Sequence, residues 1–196
     1  MTVEMVDEPF DDLLVAAQAG DEHAFACLWR DLNPRVLRYL RTMATSPNAD
    51  LAADLASETW LQVIRHLPKF TGDATAFRAW VFTIARNKVV DNGRRERRRP
   101  RIESDDAPLD AYPATDDTAV LAVQNLTTDA ALALIASLPR EQAEVIMLRV
   151  VAGLDVAAVA KLVGKSPGAV RISAHRGLRR LQEIVVRPHA EVGSAL

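Results

Sequence analysis

Apolar residues recur every three or four positions along most of this chain, which is the spacing of one buried helix face. In the first half, the pattern predicts helices over 10–29 with a break at Gly20-Asp21, from Pro34 to Met43, over 50–67, and from Ala76 into the arginines that end at Arg99. In the last third it predicts helices over 121–138, 140–151, 156–163 and 169–186. No segment needs to be a strand, so we expect an all-α fold.

The segment from Val156 to Arg176 has the spacing of a helix-turn-helix. Gly164 allows the positive φ of a tight turn, Ser166 and Pro167 suit the start of the second helix, and Val170 packs back between the two helices. The second helix of such a motif enters the DNA major groove. Its candidate DNA contacts are Lys165, Ser166, Arg171, Ser173, His175, Arg176 and Arg179. A solvated basic helix face remains the alternative.

Basic residues are concentrated in two blocks, although the formal net charge is only -2. The block from Arg78 to Arg101 holds nine basic and two acidic residues, and the block from Lys161 to Arg187 holds seven and one. Between them, the stretch from Glu103 to Asp117 holds six acidic residues and no basic one. This segregation predicts two contacts with one polyanion, joined by a segment that avoids it.

The segment from Pro100 to about Thr118, which contains this acidic stretch and three prolines, has the composition of a linker. We therefore expect two small helical domains. The boundaries that follow are an N-terminal domain over 1–99, a linker over 100–119, a C-terminal helix-turn-helix domain over 120–187 and a tail over 188–196.

Two ordered motifs in the first half resemble a known pattern. The first motif lies on one helix and consists of Asp54 and Glu58-Thr59-Trp60. The second lies on the next helix and consists of Trp80, Ile84-Ala85-Arg86-Asn87, Asp91 and Arg94-Arg95. Both resemble the second domain of bacterial RNA polymerase sigma factors of the extracytoplasmic-function (ECF, group IV) group. The stretch Leu138-Pro-Arg-Glu-Gln-Ala-Glu-Val-Ile-Met-Leu-Arg149, with the helix-turn-helix, resembles the fourth domain of that family. Together the resemblances cover about 10–186 except the linker.

The resemblance implies an alternative sigma factor that binds core RNA polymerase and directs promoter-specific transcription initiation. It implies that one helix docks on the clamp helices of the largest core subunit, through Asp54, Glu58, Leu61, Gln62 and Arg65. It also implies that the helix-turn-helix reads the −35 element. By resemblance, an anti-sigma factor is a further expected partner. The acidic linker is expected either to enter a basic channel of the polymerase or to act as a solvated spacer.

The resemblance further implies that the loop from Phe70 to Ala76 and the helix from Phe77, which carries the first basic block, recognise and melt the −10 element. Unpaired bases need a pocket, a stacking surface and cations along the backbone. The candidate residues are Phe70, Thr71, Gly72, Asp73, Arg78, Arg86, Asn87, Lys88, Arg94 and Arg95. Trp80 supplies a further ring, although we expect it to belong to the core.

Other classes of protein fit the sequence less well. The four histidines lack metal-ligand spacing, the only cysteine is Cys27, and no phosphate-binding or nucleophile motif is present, so we expect no enzyme, cofactor or metal. No secretory signal and no apolar run of about 20 residues occurs, which predicts a cytoplasmic protein without membrane insertion. The alternative is a free-standing helix-turn-helix regulator that binds duplex DNA as a dimer. It leaves the first basic block unexplained.

Overall fold

The computed structural model describes residues 9–44, 49–98 and 119–186, and every regular element in these ranges is helical. The expected all-α class is therefore confirmed. The eight α-helices are α1 (Phe10–Gln18), α2 (Glu22–Met43), α3 (Ala49–His66), α4 (Ala74–Arg98), α5 (Ala119–Ala136), α6 (Arg140–Ile146), α7 (Val156–Val163) and α8 (Pro167–Val186). The expected linker over 100–119, apart from Ala119, and the tail over 188–196 lie outside the described residues.

The break between α1 and α2 follows the predicted signals. Gly20 has a φ of +97°, and the Asp21 carboxylate accepts a hydrogen bond from the Ala24 amide at 2.8 Å, which caps α2. The predicted new helix at Pro34 is wrong, because α2 runs through Pro34 without a break. Proline removes one backbone donor, but the stripe of buried residues on α2 continues past it and holds the helix together.

Helices α2, α3 and α4 enclose the first part of the core. Trp60 on α3 is buried, and its indole N–H donates to the Asn33 side chain of α2 at 2.9 Å. Phe77 and Phe82 on α4 are fully buried in the same core. A 3₁₀ turn over Leu67–Lys69 ends α3 and leads into the short segment before α4.

The second half contains the predicted helix-turn-helix. Helix α6 passes into a π-helical turn over Met147–Val151, and α7 and α8 follow. Gly164 has the left-handed φ of +70° between them, as the sequence predicts. Gly177 on α8 is buried, and a Cβ built there would lie 2.6 Å from the Ile146 Cδ1 atom. Helices α6 and α8 therefore pack closely, and the helix-turn-helix prediction is confirmed.

The two halves are in contact through α2 and α4. Helices α5 and α6 and the π turn pack on α2, and α7 packs on α4. At this contact the Glu144 carboxylate accepts hydrogen bonds from the Arg86 Nε atom at 2.8 Å and the Tyr39 hydroxyl at 3.2 Å. Burial raises the pKa of the Tyr39 hydroxyl well above its ordinary value of 10.0, and the Glu144 charge adds to the rise.

Candidate nucleic-acid interface

The outer face of α8 is exposed and basic. Its charged and titratable side chains, all exposed, are Arg171, His175, Arg176, Arg179 and, near the end of the helix, the acidic Glu183. The opposite face carries Val170 and Gly177, both buried in the helix-turn-helix. Ser173 is only 6% exposed, because it lies three residues after Val170 and four before Gly177 and so shares their face. The expectation that Ser173 contacts DNA is corrected: it does not lie on the outer face.

The start of α8 is fixed by local contacts of two predicted DNA-binding residues. The Ser166 hydroxyl accepts a hydrogen bond from the Ala169 amide at 3.2 Å, so it caps the helix. The Lys165 ammonium forms an ion pair with Glu141 of α6 at 2.5 Å. Further along, Arg179 pairs with Glu183 at 3.1 Å.

Two arginines on the outer face of α8 differ from these neighbours. Arg171 and Arg176 form no ion pair within the described part of the chain. A guanidinium presents several N–H donors in a fixed planar arrangement that matches the O6 and N7 acceptors of guanine, or a phosphate. Among the described residues, these two cations of the outer face have no competing carboxylate, whereas Arg180 of α8 donates to the Gln142 side chain of α6 at 3.4 Å.

A cluster of aromatic rings supports the segment before α4. The rings of Phe70 and Trp80 are stacked with centroids 5.0 Å apart, and Phe77 meets Phe70 edge-on at 5.5 Å. Phe70 and Trp80 are half-buried and Phe77 is fully buried. Trp80 is therefore neither fully in the core nor free to flip outward without losing its contact with Phe70.

The backbone of this segment is tied to helix α1. The Gln18 side chain donates to the Phe70 carbonyl at 2.6 Å, and the Asp11 carboxylate accepts from the Ala74 amide at 2.7 Å. The Asp73 carboxylate caps α4 by accepting from the Ala76 amide at 2.8 Å. Gly72 has a φ of +148°, a conformation that favours glycine. The turn Thr71-Gly72-Asp73 is thus exposed, yet held in one shape.

Several predicted cations of α4 are engaged in ion pairs. Besides Arg86 with Glu144, Lys88 pairs with Glu58 of α3 at 2.9 Å and Arg94 pairs with Asp91 at 3.4 Å. The sequence predicts that Lys88 contacts −10 DNA and that Glu58 contacts core polymerase, and the structure brings these two side chains together.

The remaining predicted residues of α4 form no ion pair within the described part of the chain. The Arg78 guanidinium lies over the Phe10 ring at 4.3 Å, and its Nε atom is buried with no hydrogen-bond partner among the described residues. Asn87 and Arg95 are exposed. The α4 surface therefore combines free, stacked and paired cations.

The outer face of α3 carries the five residues expected to contact the polymerase core. All are exposed: Asp54, Glu58, Leu61, Gln62 and Arg65. Beside them a groove of about 440 Å³ runs between α2 and α3. Trp29 and Ile64 line it and are 40% and 49% exposed, although both are large apolar residues in segments whose spacing predicts a buried helix face. These two large apolar side chains lie next to Leu61 and are candidate contact residues that the sequence pattern did not predict.

The described residues offer neither a metal site nor a membrane span. No group of three or more His, Cys, Asp or Glu side chains could hold a metal ion within 9–44, 49–98 and 119–186. In the same ranges, no helix is both long and apolar enough to cross a bilayer.

Comparisons with known proteins match both halves of the chain. The family model for Sigma-70 region 2 matches residues 28–99, and the model for Sigma-70 region 4 matches residues 128–181. The ECF RNA polymerase sigma factor ShbA of Streptomyces griseus is 36% identical over 179 residues, which cover 88% of this chain and 93% of the relative. The ECF RNA polymerase sigma factor SigD of Mycobacterium tuberculosis is 32% identical over 184 residues, which cover 93% of this chain and 86% of the relative.

A solved structure shares the fold. It is the structure of CnrH in complex with the cytosolic domain of CnrY, which aligns with a TM-score of 0.62 at 22% identity and covers 91% of this chain and 99% of that chain. At this identity the match supports the helical architecture. The coverage of the sequence relatives decides the family: this chain belongs to the ECF RNA polymerase sigma factors, which direct transcription initiation.

Proposed function

We propose that the outer face of α8 reads the −35 element of the promoter from the major groove. The observation that carries this proposal is the pair Arg171 and Arg176, which are exposed and free of carboxylates on the second helix of the helix-turn-helix. Gly164 and Ser166 fix how this helix begins. Lys165, His175 and Arg179 flank the pair and supply phosphate contacts, and Lys165 and Arg179 must first exchange their carboxylate partners.

We further propose that the exposed turn over 71–73 and the cationic side of α4 hold the unwound −10 element. The shape of the turn supports a base contact, because the backbone beside it is tied to α1 and the Asp73 carboxylate caps the following helix, α4. The half-buried Phe70 ring is the proposed surface on which an unpaired base stacks. The residues proposed to contact the DNA backbone are Arg78, Arg86, Asn87, Lys88, Arg94 and Arg95.

The exposed face of α3 is the proposed docking surface for the clamp helices of the largest core subunit. It presents carboxylates, Arg65 and the apolar Leu61 on one side of a helix, which fits the apolar centre and polar rim of a protein–protein interface. In this assignment residues 1–99 bind core polymerase and −10 DNA, residues 120–187 bind −35 DNA, and residues 100–119 connect them.

The remaining parts of the assignment follow from this role. The chain acts in the cytoplasm, needs no cofactor, and performs no chemistry of its own because the polymerase forms the phosphodiester bonds. An anti-sigma factor is a proposed further partner, by analogy with the sigma factor RpoE of Bartonella quintana, whose structure was solved in complex with the anti-sigma factor NepR.

Reconstituted run-off transcription tests the α8 proposal. Arg171→Ala and Arg176→Ala should each lower promoter-specific initiation by about five- to 150-fold, since a base-contacting arginine contributes about 1–3 kcal/mol. The matched control is Arg41→Ala, which removes an exposed arginine from α2 and should leave initiation unchanged. Binding to core polymerase, followed by co-elution, should survive in all three variants. Normal initiation by both α8 variants would contradict the proposal.

A further inference from the structure

Ile172 is an exposed apolar residue in the middle of the outer face of α8. Its side chain is 55% exposed, whereas Val170 and Ser173 on either side of it in sequence are buried. At 100° per residue, Ile172 points almost directly away from the buried stripe that passes through Val170 and Gly177. It therefore lies on the part of α8 that a DNA groove would meet first.

The surroundings of Ile172 are otherwise polar or cationic. Arg171 precedes it, and His175 and Arg176 lie one turn further along the same face. On one side a groove of about 360 Å³, lined by Ile172, Ala169 and Pro139 among others, separates α8 from the start of α6. Single exposed apolar side chains are common on protein surfaces. This one differs because its neighbours are the side chains proposed to contact DNA.

The major groove contains one apolar feature that a side chain can recognise by sequence, the C5-methyl group of thymine. An arginine does not select this methyl group, because its donors match the O6 and N7 acceptors of guanine. A branched aliphatic side chain provides contact area for a methyl group and offers no hydrogen bond to the other bases. Ile172 supplies such a side chain between two free arginines.

We propose that Ile172 packs against the C5-methyl group of a thymine in the −35 element and so specifies thymine at one position. This inference rests on the proposed −35 role of α8. It adds a specificity contact made by methyl burial to the charged contacts of Arg171 and Arg176. The expected contribution is about fourfold in initiation, the factor that corresponds to about 0.8 kcal/mol for burial of one methyl-sized group.

The test replaces thymines of the −35 element with deoxyuridine, one at a time on each strand. Deoxyuridine differs from thymidine only by the missing methyl group, so hydrogen bonding to the base is unchanged. The templates come from promoters selected by run-off transcription of a genomic promoter library with holoenzyme that contains the full chain. Initiation is then measured with the unaltered chain, Ile172→Ala and the control Ile184→Ala, which removes an exposed isoleucine from the same helix.

We expect one replacement to lower initiation about fourfold with the unaltered chain and with Ile184→Ala, but not with Ile172→Ala. On the thymine template, Ile172→Ala should be slower than the unaltered chain by a similar factor. The inference is overturned if no replacement has an effect, if the effect persists in Ile172→Ala, or if the selected −35 elements contain no thymine. Failure of the unaltered holoenzyme to initiate at any promoter would instead refute the proposed function itself.

Discussion

Replacement of Glu144 with alanine should weaken the contact between the two halves of the chain. The Glu144 carboxylate on α6 accepts from Arg86 of α4 at 2.8 Å and from Tyr39 of α2 at 3.2 Å. The side chains of Glu144 and Arg86 are only 16% and 28% exposed, so water competes weakly for this ion pair. The substitution removes both acceptor contacts and leaves the Arg86 charge and the buried Tyr39 hydroxyl without them.

The magnitude follows from these two contacts. A hydrogen bond to a charged group contributes about 1.5–3 kcal/mol, and the longer bond from the Tyr39 hydroxyl, at 3.2 Å, is assigned the low end of that range. Arg86 recovers part of this loss because its remaining exposure lets water reach the guanidinium. We therefore expect Glu144→Ala to lower the free energy of unfolding by about 2–3 kcal/mol.

A double-mutant cycle separates the ion pair from other effects of the substitution. Urea unfolding followed by far-UV circular dichroism, on Glu144→Ala, Arg86→Ala and the double variant, should give a coupling energy of about 1.5 kcal/mol. The control cycle uses Glu58 and Lys88, whose ion pair is more exposed and should couple by less than about 1 kcal/mol. A Glu144–Arg86 coupling below about 0.5 kcal/mol would refute the reasoning, because distant sites are additive to that extent.

Three further predictions concern stability. Burial raises the pKa of the Tyr39 hydroxyl, so its contribution to the free energy of unfolding is fully present below pH 10.0 and is lost as the pH rises through the folded-state pKa. Tyr39→Phe should therefore make the free energy of unfolding in urea less sensitive to pH above 10.0. Gly72→Ala should lower the free energy of unfolding, measured by thermal denaturation, by about 1–3 kcal/mol, since the new Cβ would lie 2.8 Å from the Ala76 Cβ. The control Gly20→Ala should lower it less, because no atom lies within 4 Å of the new Cβ. Gly177→Ala should lower the free energy of unfolding, measured by denaturant titration, by about 1–3 kcal/mol, because the new Cβ overpacks the contact between α6 and α8. The control Gly168→Ala should leave it unchanged or raise it, because the nearest atom to its new Cβ would be 3.9 Å away.

The helices and the helix-turn-helix could be predicted from the sequence because each is signalled locally. Gly20, Asp21, Gly164 and Ser166 have the backbone or capping roles that their residue types favour. Pro34 shows the limit of local signals. It is a poor residue for the interior of a helix, but the buried stripe on both sides outweighs the one lost hydrogen bond.

The partners of the charged residues could not be predicted from the sequence. Arg86 and Glu144 are separated by 58 positions, and Lys88 and Glu58 by 30, so only the packing of helices reveals these pairs. A count of cations therefore overestimates how many are free to contact a polyanion. The burial of Ser173, by contrast, could be predicted from the sequence, because its spacing from Val170 and Gly177 places it on the buried face of α8.

The central claim is that this chain confers promoter-specific initiation on core RNA polymerase, and run-off transcription of a genomic promoter library with and without the chain tests it most directly. We predict discrete start sites that depend on the chain and share a −35 and a −10 element at a fixed spacing. The contrary result is tight binding of promoter duplex by the chain alone, with no stimulation of core polymerase at any template. That outcome would identify a free-standing DNA-binding regulator instead.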